Sequence, residues 1–183
     1  MYLLWGNSLS SYGYNGVYTL IEIKKPEKWS INCSQRPKDT EINLVVLHYT
    51  AGDFDSSLSW LMNPASKVSA HYLISRLGDI WQLVPEEWKA WHAGRSSWNG
   101  QDNVNEFSIG IELVGWRMGG FTDIQLTSLL WLSKDIMIRH PNINPSLFTG
   151  HSNIAPGRKV DPDGTEGQFP WDLFRRSLRC KCL

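Results

Sequence analysis

Apolar and polar residues alternate along this chain in a pattern that predicts short buried strands separated by helices and loops. Runs of apolar, often β-branched residues are typical of strands that lie inside a sheet. Such runs occur at 43–48, 71–75, 80–84, 108–114 and 147–149. A turn at 77–79 predicts that the second and third runs pair as a hairpin.

Helix signals fall between and after these runs. We expect a short helix over residues 55–62, with Asp55 as its N-cap. Thr122 and Gln125 have the spacing of a capping box, which predicts a longer helix that ends near His140. Apolar residues at helical spacing predict its buried face, which should consist of Leu126, Leu129, Leu130, Ser133 and Met137.

The succession of strands and helices, with a last short helix beginning at Pro170-Trp171, predicts an α/β fold around one central sheet. The chain has 183 residues, of which 42% are apolar and 20% charged, as expected for one globular domain. We expect that domain at 41–178, after a polar, turn-rich lead-in at 1–40 and before a short tail at 179–183.

The charge balance argues against two classes of partner. Lys+Arg and Asp+Glu both number 18, and a neutral chain has no net attraction for nucleic acid or an anionic membrane. The sequence contains no run of about 20 apolar residues, so we expect no transmembrane segment.

The first 20 residues contain neither Lys nor Arg and no continuous apolar run, so they do not resemble a signal peptide. The sequence as it stands therefore predicts a cytoplasmic protein. A cell-envelope location would need an export segment in addition.

Two histidines and one aspartate lie where functional residues are expected. His48 ends a predicted buried strand, and His151 follows the last predicted strand and opens a long loop that also contains Asp161. Two imidazoles and a carboxylate with one open position are typical of a catalytic zinc site, where bound water reaches a pKa of about 7. The spacing alone leaves the alternative of hydrogen-bonded core histidines and capped turns.

Glu112 lies inside the apolar strand predicted at 108–114. A carboxylate at such a position must face water, a partner or a site. Facing a metal, it would be placed to act as a general base; facing solvent is the alternative. Lys159, two residues before Asp161, could stabilise a developing oxyanion from the other side.

The remaining histidines and Arg158 favour other roles. His71 and His92 each neighbour an aromatic residue, which indicates packing or the wall of a groove. His140 lies at a predicted helix end, where a structural role is expected. Arg158 is either a substrate contact or a solvated side chain.

Several short segments in this order resemble the zinc-dependent N-acetylmuramoyl-L-alanine amidases of the amidase-2 superfamily, which also includes peptidoglycan recognition proteins. The resemblance runs from about residue 42 to 174, so it covers most of the chain. The matching segments are Val46–Ala51, Ser69–Ile74, Trp81–Pro85, Ala90–Gly94, Ser108–Leu113, Gly150-His151, Ile154–Lys159, Asp161-Pro162 and Phe169–Trp171.

The resemblance implies a single domain with a mixed central sheet flanked by helices, and one Zn²⁺ per chain. It implies that His48, His151 and Asp161 bind the zinc and that Glu112 and Lys159 are catalytic. The implied reaction is hydrolysis of the amide between N-acetylmuramic acid, or its anhydro form, and L-alanine of the stem peptide. The partners would then be peptidoglycan fragments or murein, bound by a monomer. Groove residues are expected at Trp91, His92, Trp98, Asn105 and Arg158.

Within the family, the short segment at 53–58 resembles the broad-specificity outer-membrane lipoprotein amidases of Gram-negative bacteria. One alternative is a cytosolic recycling amidase specific for anhydromuramyl peptides. A second is a non-catalytic peptidoglycan receptor on the same fold, and a third is a zinc amidohydrolase for another acyl-amino-acid bond. The absence of net positive charge favours soluble muropeptides or loosely engaged murein over tight binding to an anionic wall.

Overall fold

A computed structural model describes residues 10–14, 17–116, 119–163 and 169–180 of the chain. Its helices are α1 (Phe54–Met62), α2 (Asp123–Arg139), α3 (His151–Ile154) and α4 (Trp171–Arg179). Its strands are β1 (Ser10–Tyr14), β2 (Val17–Ile21), β3 (Ile23–Lys24), β4 (Cys33–Gln35), β5 (Leu44–Tyr49), β6 (Tyr72–Ile74), β7 (Ile80–Gln82), β8 (Trp88–Ala90), β9 (Ser97–Trp98), β10 (Gln101–Asp102), β11 (Ser108–Leu113) and β12 (Phe148–Gly150). None of the helices in these ranges combines the length and apolar character needed to cross a bilayer.

Among the described residues, six strands form a central sheet in the order β12-β5-β11-β6-β7-β3. The first four strands of this order run parallel, whereas β7 is antiparallel to β6 and parallel to β3. The sheet is therefore mixed and flanked by helices, as the resemblance implies. The parallel strands β12, β5 and β11 place their carboxyl ends side by side at one edge, where ligand sites of such sheets usually lie.

Side chains of β5 and β11 alternate between two buried faces, because successive residues of a strand point to opposite sides. One face, with Val45, Leu47, Ile109 and Ile111, packs in the same apolar cluster as α2 and α4. The other face of β5 begins with apolar residues and ends at His48, whereas on β11 it carries Ser108, Gly110 and Glu112. The helix side of the sheet therefore supplies stability, and the opposite side supplies polar groups.

The predicted strands and the predicted hairpin are confirmed, with ends shifted by at most two residues. The predicted N-cap of α1 is wrong. The helix begins one residue earlier, at Phe54, because Asp53 rather than Asp55 caps it, and its side chain accepts a hydrogen bond of 2.8 Å from the backbone N–H of Ser56. An N-cap residue precedes the first turn of its helix, whereas Asp55 lies within that turn.

The long helix α2 is confirmed, and Thr122 caps it by accepting a hydrogen bond from the backbone of Gln125. Its buried face differs from the predicted one. Leu129 and Ser133 are buried as predicted, but Leu126, Leu130 and Met137 lie at the half-buried margin, and Leu132 and Ile136 fill the centre. Gln125 does not complete a capping box, because its buried amide donates instead to the carbonyls of Ile74 and Val114.

The chain before β5 contacts the rest of the fold from Ile21 onward. Ile21 joins the large apolar cluster, and β3 pairs with β7 at the edge of the sheet. Arg36 donates hydrogen bonds of 2.6–3.0 Å to the carbonyls of Glu86, Asn105, Glu106 and Ser108. Burial lowers the pKa of Arg36 to about 10, so the side chain stays charged at neutral pH. The domain boundary at residue 40 stays a prediction.

A buried carboxylate joins the end of α2 to the loop after β7. Glu86 accepts hydrogen bonds from the hydroxyl of Tyr72 at 2.7 Å and from Nε2 of His140 at 2.8 Å, and it also pairs with Arg139. His140 is the C-terminal cap of α2, which fits the expected structural role. Burial opposes ionisation of Glu86, but these partners outweigh it and lower the pKa of Glu86 to about 2.

The low pKa of Glu86 predicts a pH-dependent contribution to stability. A carboxylate with a pKa of about 2 when folded and about 4.5 when unfolded stabilises the fold fully above pH 4.5 and loses this effect as the pH falls toward 2. We expect Glu86→Gln to lower the free energy of unfolding by up to about 3 kcal/mol at pH 6, since one pKa unit is worth about 1.4 kcal/mol. Urea unfolding at pH 6, 4.5 and 3 measures this difference, which should narrow at the lower pH values. The exposed neighbour provides the control, Glu87→Gln, and a difference between wild type and Glu86→Gln that is independent of pH would contradict the assignment.

Candidate active site

The carboxyl ends of three adjacent parallel strands bring together residues that are far apart in the sequence. His48, near the end of β5, pairs in register with Glu112, near the end of β11. Gly150, the last residue of β12, pairs with Leu47, so the next residue, His151, lies beside His48. Asp161 arrives from the following loop, where its carbonyl accepts a hydrogen bond of 2.8 Å from the backbone N–H of Ser152.

Three ligand atoms converge at this edge of the sheet. Nδ1 of His48 lies 2.9 Å from Nδ1 of His151, and Oδ2 of Asp161 lies 3.1 Å from each of them. All three residues are buried, and this is the one cluster of metal-ligating side chains found among the described residues. The sequence therefore predicted correctly that these three side chains meet.

This arrangement fits a metal ion. Burial lowers the pKa of His48 to about 4, so its ring is neutral at pH 7. Ligand atoms of tetrahedral zinc, with bonds of about 2.0–2.2 Å, lie about 3.3 Å apart, a few tenths of an ångström more than here. Two nitrogens and one oxygen leave a fourth position for water or substrate.

Glu112 faces the same site without a fixed partner. Its Oε2 is buried, and no residue in the described ranges donates a hydrogen bond to it. Burial, with a smaller contribution from the negative charge of Asp161, raises the pKa of Glu112 to about 8, and the positive charge of Lys159 partly opposes this shift. A carboxyl group with such a pKa can both accept and donate a proton near neutral pH, which is the property of a general acid–base.

A cavity of about 640 Å³ lies over these residues and is large enough for part of a glycopeptide. Glu112, Lys159 and the three ligand residues all line it, as do His92 and Arg158. Trp60 of α1 also lines it and is 59% exposed, and sequence analysis missed this residue. The sequence feature that could have indicated it is a tryptophan among serines in a predicted short helix.

Three other residues proposed for the groove have different surroundings. The indole N–H of Trp91 donates to the hydroxyl of Ser34 at 3.2 Å, and Trp98 packs against an apolar cluster. The side chain of Asn105 accepts hydrogen bonds from the backbone N–H groups of His92 and Ala93. A role of these residues in substrate binding stays a prediction.

Comparison with known proteins identifies the family. Residues 38–164 match the family described as N-acetylmuramoyl-L-alanine amidase, which is well over half of the chain. The chain belongs to this amidase family. It is 43% identical over 146 residues to the N-acetylmuramoyl-L-alanine amidase AmiD of Escherichia coli K12, a match that covers 71% of this chain and 51% of AmiD. The chain thus spans about half the length of that relative.

Two further relatives agree with this assignment. The 1,6-anhydro-N-acetylmuramyl-L-alanine amidase AmpD of Salmonella typhimurium SL1344 is 36% identical over 174 residues, which is 85% of this chain and 90% of AmpD. A solved complex of E. coli AmiD with anhydro-N-acetylmuramic acid-L-Ala-D-gamma-Glu-L-Lys is 38% identical and has a TM-score of 0.69. It covers 78% of this chain and 60% of that one. The fold of this chain is therefore that of the amidase family.

Gly110 of β11 leaves the space in which the ring of His92 lies. A Cβ atom on Gly110 would lie 2.3 Å from Cγ of His92, far closer than van der Waals contact. We expect Gly110→Ala to lower the free energy of unfolding by about 2 kcal/mol through overpacking. Gly115→Ala is the matched control, because its new Cβ would lie no closer than 3.5 Å to any neighbour. Equal stabilities of the two variants in urea unfolding would show that His92 does not occupy this space.

Proposed function

We propose that this protein is a zinc-dependent hydrolase that cleaves the amide bond between N-acetylmuramic acid, or its anhydro form, and L-alanine of peptidoglycan stem peptides. The observation that carries the proposal is the meeting of the three ligand atoms with the unpartnered carboxylate of Glu112 in one cavity. Membership of the amidase family supports the reaction, and the substrate named for the AmiD complex supports the substrate class.

We assign one zinc ion per chain to Nδ1 of His48, Nδ1 of His151 and Oδ2 of Asp161. Zinc supplies Lewis-acid chemistry, which polarises a carbonyl oxygen and acidifies water. An imidazole that binds a metal through a ring nitrogen is a neutral donor, and the carboxylate contributes one negative charge, so a bound Zn²⁺ would keep a net positive charge. Such a charge would stabilise negative charge on an amide oxygen.

Glu112 and Lys159 would carry out the proton transfer and charge stabilisation. The carboxylate of Glu112 takes a proton from the attacking water and gives it to the nitrogen of the departing L-alanine. Its position in the cavity supports this exchange, since no residue in the described ranges donates a hydrogen bond to its Oε2. The ammonium group of Lys159, which lines the same cavity, stabilises the oxyanion that forms on the carbonyl.

The rival roles differ from this proposal in ways that can be measured. A non-catalytic peptidoglycan receptor would need neither three converging side chains that could hold a metal nor a buried carboxylate oxygen without a donor, and the presence of both supports the catalytic role. A dedicated recycling enzyme would cleave anhydromuramyl peptides and leave reducing muramyl peptides intact. Relatives named for the anhydro substrate keep this second possibility open, and comparison of the two substrates decides it. The cytoplasmic location expected from the sequence stays a prediction.

The role of Glu112 predicts a specific loss of activity. We expect Glu112→Gln to fold, to retain zinc and to lower kcat at least 100-fold, because general acid–base catalysis contributes about 10²–10⁴-fold. Mass spectrometry of a muramyl-tripeptide digest follows the release of free tripeptide, and elemental analysis measures the zinc. The exposed Glu27 provides a control, and Glu27→Gln should match the wild type. Normal turnover by a zinc-loaded Glu112→Gln protein would remove Glu112 from the mechanism.

A further inference from the structure

Both ligand histidines depend on one dipeptide for the orientation of their rings. The second ring nitrogen of His48, Nε2, lies 3.0 Å from Nδ1 of His92. The second ring nitrogen of His151, also Nε2, lies 3.0 Å from the carbonyl oxygen of Ala93. Adjacent residues of a single loop therefore contact the outer nitrogens of both rings.

The hydrogen bonds around His92 have only one consistent direction. The hydroxyl of Ser108 donates to the carbonyl of Val104 at 2.6 Å, so its oxygen must accept from Nε2–H of His92 at 3.1 Å. With its hydrogen on Nε2, the ring of His92 presents the lone pair of Nδ1 to His48. Nδ1 of His92 therefore accepts from Nε2–H of His48, and this leaves the lone pair of His48 on Nδ1, which faces the ligand cluster.

The carbonyl of Ala93 has the same effect on His151. A carbonyl oxygen only accepts hydrogen bonds, so Nε2 of His151 carries a hydrogen, and Nδ1 is the nitrogen left to bind a metal through its lone pair. The same oxygen accepts a second hydrogen bond of 2.8 Å from Arg158, which uses its remaining lone pair. Both rings thus present their lone pairs to the point where Asp161 also points its Oδ2.

Asn105 fixes the dipeptide itself. Its Oδ1 accepts hydrogen bonds from the backbone N–H of His92 at 3.1 Å and of Ala93 at 2.8 Å. Arg36 holds the segment around Asn105 in place, because it donates hydrogen bonds to the carbonyls of Asn105, Glu106 and Ser108. The dipeptide can therefore shift only if these backbone contacts break.

We propose that His92-Ala93, held by Asn105, is the positioning element of the metal site. It fixes the tautomer and the angle of both ligand histidines, the first through the His92–Ser108 chain and the second through a backbone carbonyl. This inference rests on the proposed zinc site. Loss of a hydrogen-bond partner of this kind lowers metal affinity by about 10–100-fold, because the partner orients the ligand and raises its basicity.

Ser108 provides the first test. Ser108→Ala removes the acceptor for Nε2–H of His92 and frees the ring to take either tautomer. We expect about tenfold weaker zinc binding in competition with a chelator, and a changed visible absorption spectrum of the cobalt-substituted protein. The matched control is Ser133→Ala, since the hydroxyl of Ser133 is also buried but has no hydrogen-bond partner within the described part of the chain. The control should bind both metals as the wild type does.

Asn105 provides the second test, with a conservative rescue. Asn105→Leu removes the acceptor for two backbone N–H groups, and we expect at least tenfold weaker zinc binding. Asn105→Asp retains an oxygen at the same place and should bind zinc within about threefold of the wild type. A merely structural role would lower the melting temperature of the metal-free protein in step with affinity, so both quantities are measured on each variant.

The possible outcomes separate this inference from the proposed function. Failure of the wild type to bind zinc would overturn both. Zinc binding and cobalt spectra of Ser108→Ala and Asn105→Leu that equal those of the wild type would overturn the positioning role alone. If Asn105→Leu does not fold, Ser108→Ala decides the question, because the loss of one hydroxyl preserves the packing of the strand.

Discussion

The site depends on the mutual repulsion of three electron-pair donors. Nδ1 of His48, Nδ1 of His151 and Oδ2 of Asp161 lie within 3.1 Å of one another in a buried place. When the outer nitrogens of both rings donate to fixed acceptors, no hydrogen remains to lie between these three atoms. A cation satisfies all three at once. In the proposed zinc site, the surrounding hydrogen bonds would therefore favour a metal ion before any substrate arrives, through groups that do not contact the metal.

Strand alternation allows this polar centre to exist in a stable fold. On β11, Ile109, Ile111 and Leu113 pack toward α2 and α4. The intervening residues serve the site: Ser108 directs the His92 ring, Gly110 leaves room for it, and Glu112 faces the cavity. A shift of the register by one residue would exchange these two sets and destroy both the core and the site. The same strand is therefore constrained on both faces, by packing on one and by chemistry on the other.

Part of the fold and of the candidate site could be predicted from local sequence patterns and from motif matches. Apolar β-branched runs predicted the parallel strands. His48 and His151 were singled out at the ends of predicted strands, Asp161 in the loop that follows His151, and Glu112 as a carboxylate inside an apolar strand. The contact between His92 and His48 could not be predicted. The orientation of the His92 ring depends on Ser108, which is sixteen residues away, and on the loop between them. The role of Arg36 could not be predicted either. Its partners are backbone carbonyls, which every residue type has, so the sequence does not indicate them.

Glu86 and Glu112 both have buried side-chain oxygens, but the first contributes to stability and the second faces the cavity of the proposed active site. Glu86 has three donors around it and a pKa of about 2, so it is charged at neutral pH and joins two parts of the chain. Glu112 has no donor to its Oε2 among the residues described here, and burial raises its pKa to about 8. Burial is common to both, so the difference comes from their partners. A donor beside Glu112 would stabilise the fold but would also fix the proton that the proposed reaction has to move. The proposed role of Glu112 in general acid–base catalysis therefore accounts for a buried oxygen without a donor at this position.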